Sequence, residues 1–333
     1  MWLEPDAKIH SPEIGRIWIN SAPLNLQQLH GRVVLVDFWD YTCVNCLRTL
    51  PYLSEWHRRY SDKGLTIAGI HTPEFSFART PQLVEAAVRR LGVEYAVALD
   101  NEYQIWQAFA NRCWPAKYLI DKDGYVRYVH LGEGSYGETE EGIQKLLLEV
   151  DPKLTFPKPL EPLREADVPG ARCYPATPEL YLGFGRGTIG NASGYSENQV
   201  LDYLPGDLAQ PDTVYLGGPW FADREYIEAC PLDGKASRIA LQYAAAEVNL
   251  VMSPPHGGEG VAHVFENGKP LAPEVFGEDI IEKDGKAGFA ITEPRMYRLI
   301  KNRAFATRTL EIVTSTPGLG AYALTFGSCL MES

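Results

Sequence analysis

Between residues 16 and 150 the chain alternates two patterns of apolar spacing. Runs of strand length, rich in Val, Ile and aromatic residues, fall at 16–20, 32–39, 65–71, 95–99, 116–121 and 125–131. Segments with near-helical apolar spacing fall between them at 43–60, 80–91, 101–108 and 138–150, the first placing Leu47, Leu50, Leu53 and Trp56 on one side. The order β, β, α, β, α, β, α, β, β, α predicts the strands of one sheet connected by helices. Residues 32–38, RVVLVDF, form an almost continuous apolar run, as a strand covered on both faces should, and mark the sheet centre. Pro51 falls inside the first helix and is expected to kink it. DKDG at 121–124 supplies the turn residues of a tight hairpin between the last two strands.

The helical period disappears after residue 150. Residues 151–178 hold Pro152, Pro157, Pro159, Pro162, Pro169, Pro175 and Pro178 with few apolar runs, which reads as a stiff, extended connector. Beyond it, short alternating runs at 238–243, 247–252, 296–300, 309–313 and 322–326 read as half-buried antiparallel strands. Asn267-Gly268 and Asp284-Gly285 are turn signals. The expected organisation is an α/β domain over 1–150, a linker over 151–177 and an all-β, jelly-roll-like sandwich over 178–333.

At 333 residues the chain has room for two cores, and its apolar (45 %) and charged (22 %) fractions are ordinary for a globular protein. The net charge of −12 argues against nucleic acid or an anionic membrane surface as partner. No stretch has the roughly 20 apolar residues of a membrane helix, and residues 1–6 lack the features of a signal peptide. Six cysteines, at 43, 46, 113, 173, 230 and 329, are too sparse for a disulfide-stapled scaffold.

Only Cys43 and Cys46 are close in sequence. In VDFWDYTCVNC, residues 36–46, a buried strand ends and a helix begins, with one cysteine at its start and another a turn later. The helix N-terminus stabilises a thiolate, so Cys43 is the expected nucleophile in disulfide exchange. Cys46, a turn inward, would resolve the mixed disulfide. Asp37, on the central strand, would have a raised pKa and accept the Cys46 proton; the alternative is an edge or capping aspartate. Trp39 reads equally as cover for the disulfide or as core. Trp114-Pro115, just before a strand, suits a cis peptide whose free backbone groups pair with an extended client, against a trans proline at a strand start. His71 and Glu74, after the third strand, are candidates for proton shuttling or for loop hydrogen bonds. Cys113 is either an auxiliary redox thiol or a buried inert one.

The DFW at 37–39, the CxxC at 43–46, Pro51 and Trp114-Pro115 together resemble the thioredoxin superfamily over residues 14–150. More narrowly, YTCVNCLRTLPY (41–52), HTPEF (71–75) and WPAKYLID (114–121) resemble the soluble part of DipZ-type proteins, which brings Tyr41, Thr42 and Trp114 into the candidate site. TPELYLG (177–183) and AYALTFG (321–327) are similar to the ends of the carbohydrate-binding-module-like sandwich of those proteins. The resemblance implies a thiol:disulfide oxidoreductase with protein thiol or disulfide clients, an outside electron donor, a periplasmic or other extracytoplasmic setting (against a cytoplasmic one if the chain is complete as given), and no cofactor besides the Cys43/Cys46 pair. It also implies a glycan or protein ligand for the second domain.

Competing readings are weaker. A peroxiredoxin-like peroxidase needs a Pro and a Thr ahead of its cysteine, and here Thr42 precedes Cys43 with no Pro just upstream. A binding module with a secondary dithiol would rest on Trp220, Phe221 and Tyr226 as a sugar platform, or equally as core. The GRGTIG at 185–190 lacks a helix after it and so is not a dinucleotide site. No second ligand pair completes a zinc site with Cys43 and Cys46. Asn191-Ala-Ser193 is a chance-level glycosylation triplet.

Overall fold

In the computed structural model the chain forms two compact units, Met1–Val168 and Pro169–Ser333. Residues 1–3, 10–15, 17–283 and 285–330 are described; Arg16 of the first expected strand and Asp284 of an expected turn lie outside them.

The first unit is built on strands β1 (Trp18–Ile19), β2 (Val33–Trp39), β3 (Leu65–His71), β4 (Ala96–Leu99), β5 (Ala116–Ile120) and β6 (Val126–Leu131). Its helices are α1 (Val44–Tyr60), α2 (Pro81–Arg90), α3 (Gln104–Ala108) and α4 (Tyr136–Val150). The sheet order is β1-β4-β3-β2-β5-β6. β2, β3 and β4 are parallel, and β5 and β6 form an antiparallel pair of which β5 runs antiparallel to β2. Strand alternation decides which core each side chain enters. Val34, Val36 and Phe38 join one core with Ile105 and Phe109, while Val33, Leu35 and Trp39 join the other with Cys46, Leu53, Trp56 and Ile143. Asp37 therefore projects on the side of α1 and α4. By the same period Lys117, two residues from Leu119, joins it from β5.

The proline-rich segment is not a free connector along its whole length. Leu154, Phe156 and Leu160 pack on the α1/α4 core. The buried Glu140 carboxylate accepts the Leu160 N–H at 2.7 Å and the Tyr60 hydroxyl at 2.5 Å. The Tyr52 hydroxyl donates to Asp167 at 2.8 Å and accepts the Leu163 N–H at 2.9 Å. Prolines leave few backbone donors to satisfy, and those that remain find buried acceptors, so residues 151–168 close over the first unit as a strap.

The second unit is built on β-strands: among the described residues eleven belong to one antiparallel sheet around a single core, and two short ones pair separately. The expected runs at 238–243 and 247–252 are one strand, Ser237–Ser253, and those at 296–300 and 309–313 are another, Arg295–Thr314. Neither junction holds a Gly or Pro to turn the chain. A bulge between Ala245 and Glu247 bends the pair instead. Before it, Ser237–Ser253 pairs with Val214–Ala222; after it, with Gly320–Gly327. Leu180–Tyr181 adds to the same closing strand, so the ends of the resemblance to the sandwich domain are neighbours. Asn267 (φ 50) and Gly268 (φ 72) form a two-residue hairpin turn in which both residues need the left-handed region.

Several sequence expectations change here. Trp220 is 1 % exposed in the core and its indole N–H bonds to backbone carbonyls, so it cannot belong to a sugar platform. The Asn191 side chain is spent on the Leu216 N–H and C=O, each at 2.8 Å, which removes it from glycosylation. Cys173 and Cys329, 156 residues apart, form a disulfide between the two short strands that open and close the unit. Sequence spacing gives no hint of it. Replacing both with Ser is expected to lower the stability of the second unit by about 2–5 kcal/mol, read as a lower urea midpoint for residues 169–330.

Candidate active site

β2 ends at Trp39, residues 40–42 turn the chain, and Cys43 is the N-cap of α1. The Cys43 sulfur accepts the Cys46 N–H at 3.2 Å, so one open donor of the first turn is capped by the cysteine side chain itself. Cys43 is partly exposed and Cys46 is 1 % exposed; both are free thiols. Burial pushes the Cys46 thiol well up, the neighbouring Cys43 sulfur and the Asp37 carboxylate add to this, and the Asp40 N–H on its sulfur opposes it. The pair is thus asymmetric: one sulfur faces solvent, and the other holds its proton in a dry interior.

Beneath Cys46, Asp37 is 1 % exposed and pairs directly across the sheet with Lys117 on β5. Burial raises the carboxyl to about 7, against the opposing pull of the Lys117 ammonium. It is neither an edge nor a capping residue. Lys117 is also fully buried, its pKa lowered by burial and supported by Asp37, with Nζ 5.8 Å from the Tyr136 ring centre. On the other side of Asp37, β3 offers Gly69. A Cβ there would lie 3.0 Å from Trp39 Nε1 and 3.1 Å from the Tyr95 ring, so the missing side chain makes room for two aromatics beside the carboxylate. Trp39 is itself fully buried in the cluster that contains Cys46.

Three loops converge on the C-terminal end of β2. The register Phe38↔Ala116 sets Pro115, after a cis Trp114–Pro115 bond, across from Trp39. The Trp114 indole N–H donates to the Thr72 carbonyl at 3.1 Å, and the Thr72 N–H to the Trp39 carbonyl at 3.0 Å. Tyr41 and Thr42 are buried, and Tyr41 stacks on His71 at 5.5 Å. His71 is fully buried and its pKa is driven down to about 3, which keeps it neutral near pH 7 and unsuited to taking up a proton there. Glu74 is half-buried and is tied by its N–H to the Asp40 carboxylate. Cys113 is a partly buried free thiol whose sulfur contacts the Pro115 carbonyl at 3.8 Å. Among the described residues no group of three or more His, Cys, Asp or Glu is placed to hold a metal.

With this geometry the likeness to known proteins becomes specific. Residues 19–147 match the Redoxin family and residues 177–327 the thioredoxin-like C-terminal domain family. The chain is 35 % identical over 315 residues to protein DipZ of Mycobacterium bovis, covering 93 % of this chain and 41 % of that one, so it spans about two fifths of that relative's length. It is 30 % identical over 129 residues to the thiol-disulfide oxidoreductase ResA of Bacillus thuringiensis, covering 39 % of this chain and 69 % of that one. The chain belongs to the thioredoxin-like thiol-disulfide oxidoreductases. A crystal structure of a thioredoxin-like superfamily protein aligns at a TM-score of 0.40 with 25 % identity, over 44 % of this chain and 99 % of that one.

Two residues of this site escaped the sequence reading. Lys117 stands in an apolar strand where a lysine is out of place, and that was the available signal. Asp40 begins a D-x-T run, an Asx-turn pattern directly ahead of Cys43. Among the described residues no helix is long and apolar enough to cross a membrane. The Lys117→Met substitution keeps the stem and removes the charge that favours the Asp37 carboxylate. The Asp37 carboxyl is then expected to titrate about 1–3 units above its position near 7, measured by carbon-13 NMR of the side chain.

Proposed function

We propose that this chain exchanges disulfides with protein clients through Cys43 and Cys46. The observation that carries the reading is the asymmetry of the pair: an accessible sulfur capping α1, and a buried one a turn on, above a buried carboxylate whose pKa lies near 7. In the reducing direction the Cys43 thiolate attacks a client disulfide. A mixed disulfide forms and one client sulfur leaves as thiolate. Asp37 takes the proton of Cys46, whose sulfur attacks that of Cys43 and releases the second client thiolate. Two electrons pass to the client, and the Cys43–Cys46 disulfide is returned to the dithiol by an outside donor. The oxidising direction is the same sequence reversed.

The electron pair resides in the two sulfurs, so no organic cofactor or metal is needed. Lys117 keeps the Asp37 carboxylate accessible, and Trp114-Pro115 edges the cleft for an extended client chain. The Thr42 hydroxyl donates its proton to Asp40 at 2.6 Å, so that proton is not offered to the Cys43 sulfur, which weakens a peroxidase reading.

The test is redox equilibration in glutathione buffers, followed by Trp fluorescence and thiol trapping. A single reversible two-electron transition is expected, lost in Cys43→Ser; its absence in the native chain would end the reading. Cys46→Ser is expected to accumulate a mixed disulfide with a reduced-and-reoxidised client, seen on non-reducing gels. Asp37→Asn is expected to slow resolution near pH 7 by on the order of 10²-fold while leaving the first attack intact.

A further inference from the structure

The carboxylate of Asp40 joins two loops. It is fully buried at the end of β2. Its Oδ1 accepts the Thr42 N–H and the Thr42 hydroxyl, each at 2.6 Å, closing an Asx turn immediately ahead of Cys43. Its Oδ2 accepts the Glu74 N–H at 2.8 Å from the loop after β3. The backbone of the same residue meets both cysteines: its carbonyl accepts the Cys43 N–H at 3.2 Å, and its N–H bonds to the Cys46 sulfur. His71 Nε2 lies 3.7 Å from Oδ2, and the ring is neutral, so three donors rather than a cation support the buried carboxylate.

Residues 72–75 are held from two sides. The indole of Trp114 ties Thr72 to the Pro115 loop, and Asp40 ties Glu74 to the Cys43 loop. A small disulfide needs only the exposed Cys43 sulfur. A polypeptide also needs the backbone walls on either side of it.

We propose that Asp40 is a positioning residue for exchange with protein disulfides: it locks the Cys43 loop to residues 72–75, of which the half-buried Glu74 is the part open to a client chain. This rests on the dithiol reading of Cys43 and Cys46. Asp40 forms no bond with the client and moves no electron or proton.

Asp40→Asn separates the two arms. An Asn keeps a carbonyl oxygen for the Thr42 donors, but its NH₂ then faces the Glu74 N–H, two donors with nothing between them. The reduced full chain is mixed, in single turnover, with insulin as a protein disulfide and with dithiobis-nitrobenzoate as a small one. In Asp40→Asn the half-saturating insulin concentration is expected to rise about five- to tenfold. The limiting rate and the reaction with the small disulfide are expected to stay within about twofold of native. Unchanged insulin kinetics, or a parallel loss on both probes, overturns the proposal. Should Asp40→Asn lose its circular dichroism spectrum, Glu74→Pro deletes the N–H donor and leaves Asp40 in place. The same insulin-specific rise supports the lock, and its absence in folded Glu74→Pro refutes it. A native chain that reacts with neither probe refutes the dithiol reading itself.

Discussion

Desolvation beneath α1 is the constraint around which the first unit is arranged. An aspartate, a lysine and a thiol share one dry layer between β2, β5 and α1, placed there by strand alternation and register. Moving the Asp37 carboxyl from 3.8 to about 7 means the fold disfavours its charged form by about 4 kcal/mol. That is a large fraction of the stability of an ordinary domain. The strands on either side must therefore be strongly determined, and they are: every residue of β2 is buried, and it is hydrogen-bonded along both edges. The central strand is overbuilt relative to what a sheet alone would need, and the surplus holds the carboxylate.

The same desolvation separates the roles of two chemically identical side chains. Cys43 and Cys46 differ by one helical turn, yet one lies at the solvent boundary and the other among Trp39, Leu50 and Leu53. One sulfur reaches solvent, and the other is the one whose pKa is raised by burial and, in addition, by the Asp37 charge. The helix supplies the spacing and the sheet supplies the depth. Neither is sufficient alone, because a CxxC at an exposed helix end without the buried strand residue would leave both sulfurs in similar surroundings.

Much of this was legible in the sequence because it rests on local pattern. Alternation along β2, the CxxC at a strand-to-helix junction and Trp114-Pro115 before β5 come from residues near one another in the chain. What escaped depends on distant partners. Lys117 acquires meaning only from the register that pairs it with Asp37. Asp40 does so only when Glu74, 34 residues away, arrives at its free oxygen. The strap over 151–168 looked like a linker because its prolines interrupt its apolar residues, although three of those apolar residues and two buried acceptors suffice to dock it. In the second unit two pauses in the apolar pattern hold no Gly or Pro, so the chain bulges there instead of turning, and two pairs of apolar runs are two long strands.

The chain carries a closed disulfide and an open dithiol together, and these must not interconvert if both are to serve. Structural disulfides have potentials below about −300 mV, whereas thioredoxin-like couples span roughly −270 to −120 mV, so a dithiol of this class leaves such a bond intact at equilibrium. Cys173–Cys329 is placed as a bond of the first kind is: it joins two short strands paired in register at the two ends of the second unit. Its reclosure is thus intramolecular, with an effective concentration no client disulfide can match. Cys43 and Cys46 are placed differently: one sulfur sits partly exposed at the N-cap of α1, and the other lies a turn inward. One chain can therefore hold a permanent staple and a working pair, provided the difference is set by what surrounds the sulfurs.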